Sequence, residues 1–77
     1  MTNYEVICMH EGFFRAMDAN GFKILYSKYK PDYERYVELR RNGCLKGEAR
    51  AIITDDTGYG DSTIKRFINF FEAEFKI

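Results

Sequence analysis

Residues 13–22 read Phe13-Phe14-Arg15-Ala16-Met17-Asp18-Ala19-Asn20-Gly21-Phe22, and the fold class turns on them. Asp18-Ala19-Asn20-Gly21 suits a type I turn with Gly21 in the left-handed region, which closes a three-residue hairpin with a G1 bulge. Glycine alone takes that conformation at little cost. On this reading residues 13–18 are one strand, and residues 22–29, Phe-Lys-Ile-Leu-Tyr-Ser-Lys-Tyr, are the next. A competing reading makes 12–19 a short helix ended by Asn20-Gly21. The hairpin is the reading carried outward.

Upstream, residues 4–9, Tyr-Glu-Val-Ile-Cys-Met, are rich in β-formers, with Tyr4, Val6 and Cys8 on one face of a strand. His10-Glu11-Gly12 then reads as a turn. Downstream, Pro31 is the only proline and fits the first turn of a helix over 31–41, stopped by Asn42-Gly43. Tyr33, Tyr36 and Val37 form its apolar stripe, and Arg40 and Arg41 fall where the helix dipole favours cations. In residues 48–54, Glu-Ala-Arg-Ala-Ile-Ile-Thr, the alternation of Ala49, Ala51 and Ile53 predicts a fourth strand. After a loop, Asp61, Ser62 or Thr63 caps a last helix whose Ile64, Phe67, Ile68, Phe71 and Phe75 share one face. Phe70 widens that stripe. The expected fold is α+β: a small, mostly antiparallel sheet of 3-4 strands with two helices packed on one face, in the order β-β-β-α-β-α.

Composition narrows the class. The chain has 77 residues, 17 % of them aromatic, and a formal net charge of zero. That excludes disorder, a repeat array and a two-domain enzyme, and predicts a single compact domain over 1–77. One core of this size stabilises a fold by about 3–5 kcal/mol, so a homodimer or another partner is an easy source of further burial. The two cysteines, Cys8 and Cys44, read as reduced thiols. No apolar run reaches the ~18 residues needed to cross a bilayer, and the first residues do not resemble a signal peptide. The expectation is a cytoplasmic protein with no membrane contact.

Catalytic signals are sparse. His10 is the single histidine and belongs to no metal-ligand spacing, so neither a metal nor a cofactor is expected. The segment 55–63, Asp-Asp-Thr-Gly-Tyr-Gly-Asp-Ser-Thr, leads into a helix N-terminus, a place suited to phosphate. It matches neither glycine-rich phosphate motif, and three aspartates repel an anion. Residues 23–50 carry eight cations against four carboxylates, whereas the flanking segments are acidic. Inside the basic segment Tyr26, Tyr29, Tyr33 and Tyr36 interleave with Lys28, Lys30 and Arg35. Such a pattern suits stacking on unpaired bases, and tyrosine and arginine also anchor protein interfaces.

The partner-binding residues read from this pattern are Lys28, Tyr29, Lys30, Tyr33, Tyr36, Arg40 and Arg41. The function expected is that of a non-enzymatic binding module that inhibits or adapts a macromolecular partner, a protein, by surface contact. The alternative is an RNA- or single-stranded-DNA-binding domain using segment 26–41. In size, single-domain build and lack of a catalytic signature the chain resembles the small accessory proteins of large bacteriophages. That resemblance implies action on a host protein or defence complex.

Overall fold

Thr2 starts the first helix. Its hydroxyl accepts from the Glu5 amide at 3.2 Å, and the Glu5 carboxylate accepts from the Thr2 amide at 2.8 Å. This reciprocal capping box satisfies two otherwise orphaned amides and launches α1 (Asn3–Met9), where a strand was expected. The computed structural model describes residues 1–21 and 27–76. After α1 come α2 (Glu11–Ala19), a 3-10 turn (Ser27–Tyr29), α3 (Lys30–Arg41), α4 (Lys46–Thr57) and α5 (Asp61–Glu72).

The α+β expectation is therefore overturned: the described residues form helices and no sheet, and the one extended pairing among them is a lone antiparallel bridge between Thr2 and Glu74. Gly21 does adopt a left-handed φ of 87°, but as a helix stop. Its amide donates to Asp18 O, and Asn20 Nδ2 donates to Ala16 O at 2.7 Å, which satisfies carbonyls at the end of α2. The helical reading of 12–19 is the one that holds. Of the strand expected over 22–29, residues 22–26 lie outside the described residues, and 27–29 form the 3-10 turn. Over 48–54 the alternation misled. Ala49 and Ile53 are four apart, the helical spacing, and both are fully buried, whereas Ala51 is exposed.

α5 is the centre of the molecule and packs against α1, α3 and α4. Its Ile64, Phe67, Ile68 and Phe71 meet Ile7 from α1, Tyr33 and Tyr36 from α3, and Ala49 and Ile53 from α4. Phe70 lies half-buried against this cluster, so the stripe is indeed wide. Phe75 lies beyond the helix, which ends where Ala73 turns extended (φ −71°, ψ 149°).

Two turns fix the order of α3, α4 and α5. After α3, the Cys44 amide donates to Leu39 O and the Gly43 amide to Arg40 O, a Schellman closure with Gly43 at φ 98°. After α4, Gly58 at φ 78° donates to Thr54 O. There the Thr57 hydroxyl donates to Ile53 O (2.7 Å) and accepts from the Tyr59 amide (3.1 Å). Only three residues, 58–60, separate the two helices.

Gly58 and Gly47 give opposite expectations. A Cβ on Gly58 meets nothing within 4 Å, so Gly58→Ala costs only the strain of a left-handed alanine, about 1 kcal/mol. Gly47 sits in the first turn of α4, where a Cβ meets only Arg50 at 4.0 Å, so Gly47→Ala stabilises by up to ~1 kcal/mol. Urea denaturation of the two variants should move the midpoint in opposite directions.

Candidate functional site

The residues singled out by the tyrosine–lysine pattern do not form one open surface. Tyr33 and Tyr36 are only 7 % and 4 % exposed. The Tyr33 ring stacks on Phe71 at 4.9 Å between centroids, and its hydroxyl donates to Glu72 at 3.2 Å. Tyr29 is half-buried, stacked on Phe67 at 5.2 Å and edge-on to Tyr59. The ring faces that single-stranded bases need are thus taken up by core aromatics. Tyr26 lies outside the described residues.

The cations of the same segment are dispersed and mostly paired. Lys28 is exposed with its ammonium 4.9 Å from the Tyr29 ring centre. Lys30 keeps 15 % side-chain exposure, between Glu11 (3.5 Å) and Glu34 (3.3 Å). Burial works against its charge, but the hydrogen bond from Lys30 to Glu34 and the nearby carboxylates outweigh it and raise its pKa. At the far end of α3, Arg40 donates to Cys44 O and Arg41 pairs with Glu38. The length of α3, about 18 Å, separates Lys28 from Arg41. Arg35 pairs with Asp56, so carboxylates from both acidic flanks reach into the basic segment and dissolve the charge separation read from the sequence.

Burial raises the Tyr33 phenol to about 12, helped by the charge of Glu72. The folded state thus holds this proton more tightly than the unfolded chain does. Its stabilising effect is complete below the unfolded value near 10 and is lost as pH rises from there through about 12. Tyr4, held protonated by burial and its hydrogen bond to Glu34, is raised as well, so absorbance titration at 295 nm should show a late step together with unfolding whose amplitude Tyr33→Phe reduces.

A different surface is coherent. The outer side of α5 shows Ser62, Lys65, Arg66 and Asn69, all exposed, while the inner side of the same helix is locked into the core. Asp61, in its first turn, accepts from Arg50 Nε at 3.0 Å and lies 3.3 Å from Lys65 Nζ. The hydrogen bond from Arg50 and then that from Lys65 hold the Asp61 carboxyl below the usual range. Arg50, with 23 % of its side chain exposed, thereby ties α4 to the start of α5. Neither α4 nor α5 has a side-chain cap at its N-terminus, where Leu45 and Gly60 stand, and each carries a carboxylate in its first turn, Glu48 and Asp61. Lys46, exposed at the start of α4, adds a cation.

The outward face of α5 follows from the same periodicity that marks its buried side; what the helix over 46–57 adds is its context, with Gly58-Tyr59-Gly60 as a helix–helix turn in place of a strand-to-helix loop.

Elsewhere, His10 is exposed at the junction of α1 and α2, and Cys8 and Cys44 are free thiols, exposed and half-buried respectively. Among the described residues no group of three His, Cys, Asp or Glu side chains could hold a metal ion. No described helix is long and apolar enough to cross a membrane. Compared with known protein families, curated proteins and solved structures, the chain matches none of them.

Proposed function

We propose that α3, α4 and α5 form a helix-turn-helix unit that lays the outer face of α5 in the major groove of duplex DNA. The observation that carries this reading is the two-sidedness of α5. Ser62, Lys65, Arg66 and Asn69 point outward from a helix whose other side is fixed by Ile64, Phe67 and Phe71. Groove readers need a rigid helix with hydrogen-bonding side chains near its N-terminus, joined to the preceding helix by a short turn that often contains glycine. Lysine and arginine suit guanine edges, asparagine suits adenine, and serine hydroxyls adapt to either. Lys46, exposed at the start of α4, suits a backbone phosphate.

The burial of Tyr33 and Tyr36 turns the nucleic-acid alternative from single strands towards duplex. Fluorescence anisotropy with a mixed-sequence 20-base-pair duplex tests the reading. Binding should weaken with salt, with a log–log slope of about −3 to −4 if Lys46, Arg50, Lys65 and Arg66 each displace a counterion. A duplex that fails to bind at low salt, or a single strand of equal length that binds more tightly, contradicts it.

A second reading, the protein-contact module, draws support from an apolar groove where the first two helices meet the last turn of the chain. Met1, Met9, Phe13 and Phe75 surround it.

A further inference from the structure

Five large apolar side chains are exposed among the described residues, and four of them gather in one place. Met1 (53 % exposed), Met9 (64 %), Phe13 (64 %) and Phe75 (44 %) line a groove of about 480 Å³ together with Val6, His10 and Phe14. The groove is built on a secured backbone. The Asn3 amide donates to Ala73 O at 2.9 Å and the Phe75 amide to Met1 O at 2.7 Å, while the Met1 ammonium pairs with Glu74. The start of the chain and its final turn are thus fastened to each other, and both present apolar side chains beside α1 and α2. α2 itself buries no residue fully, although Phe13, Phe14 and Met17 lie along it. A nine-residue helix in water depends on such burial.

We infer that this groove is the contact between two copies of the chain. Two arguments select a second copy as the occupant. The first is area. The four exposed side chains amount to roughly 500 Å² in one patch, at the upper range for a monomer. Two such patches facing each other remove about 1,000 Å², the lower bound of a stable interface.

The second argument is charge. A two-fold contact sets a surface against itself, so every charge near the axis meets its own kind. The one formal charge on the lining residues, the Met1 ammonium, is paired with Glu74, and the lining side chains include no carboxylate, lysine or arginine. The whole chain has no net charge at pH 7 to drive copies apart. A surface of methionine and phenylalanine whose one charge is already paired matches the composition of interface cores.

Sedimentation velocity of the full chain in the absence of nucleic acid tests this independently of the DNA-binding reading. From about 1 to 200 µM the mass should rise from 9.1 kDa towards twice that value, a micromolar dissociation constant. Phe13→Glu should raise that constant at least ~100-fold while circular dichroism stays helical. Should that variant unfold, Met9→Glu serves the same purpose. Leu45→Glu, at the fifth exposed apolar position outside the groove, should dimerise normally. A chain that stays at 9.1 kDa throughout overturns the inference, whether another protein or the chain's own residues then fill the groove. So does a dimer that survives both groove substitutions.

Discussion

Replacing Lys65 and Arg66 together by alanine should reduce duplex affinity at least ~100-fold and lower the salt slope by about 2. Both side chains are exposed on the outer face of α5. Alanine there favours the helix and removes no packed atom from the core. The thermal midpoint should therefore move little, which separates loss of contact from loss of fold. Removing Lys65 also frees Asp61 from one of its two cationic neighbours, leaving Arg50 as the remaining partner. That leaves more negative charge at the helix start and adds to the loss. An equivalent double alanine substitution at Arg40 and Arg41, at the far end of α3, should change affinity far less. Those side chains engage Cys44 O and Glu38 away from the outer face of α5.

Phe67→Ala should unfold most of the chain at 25 °C. Phe67 is fully buried, stacks on Tyr29 and lies edge-on to Phe71. Deleting such a ring costs about 3–5 kcal/mol, which equals the whole margin expected of a core this small. Far-ultraviolet circular dichroism should show the helical signal largely gone, with the remainder melting over a broad range. Phe75→Ala is the control from the same sequence stripe. Phe75 lies outside α5 and is 44 % exposed, so its loss should change monomer stability by no more than ~0.5 kcal/mol. Tyr33→Ala belongs with Phe67→Ala: it removes a buried ring stacked on Phe71, and any loss of binding it causes is a folding effect.

The contrast between Phe67 and Phe75 shows what the sequence carries clearly. Helical periodicity over Ile64, Phe67, Ile68 and Phe71 identifies α5 and its buried side without ambiguity. Pro31 and Asn42-Gly43 bracket α3 to within a residue at its start, because both act through local backbone geometry. The strands expected at 4–9, 13–18 and 48–54 failed for a different reason. Short apolar runs such as Tyr4–Met9 and Ala49–Ile53 satisfy periods of 2 and 3.6 almost equally, and the tie is broken elsewhere. At Thr2 and Glu5 a capping box breaks it, a Thr-x-x-Glu signal present in the sequence. At Ala49 and Ile53 it is broken by packing against α3 and α5, which no local signal contains. Gly21 shows the same limit: its left-handed backbone was legible, but a left-handed glycine ends a helix as readily as it closes a hairpin.

The tyrosines of the candidate strip had a second meaning in the sequence: Tyr33 and Tyr36 also fall on the apolar stripe of the helix expected over 31–41, and the structure buries that stripe. In a helical bundle Tyr33 and Tyr36, three apart, share the inward side of α3. The residues proposed for contact, Ser62, Lys65, Arg66 and Asn69, carry no aromatic or cysteine signal. They gain meaning from the rigidity of the helix beneath them.

The most direct test is an amide chemical-shift titration of the ¹⁵N-labelled chain with a mixed-sequence duplex at low salt. Ser62, Lys65, Arg66 and Asn69 should move first and furthest, with the turn at 58–60 following and Tyr33 and Tyr36 scarcely changing. Shifts centred on residues 28–41, or a spectrum that stays unchanged at 61–69 as duplex is added, would contradict the assignment of α5 as the reading helix.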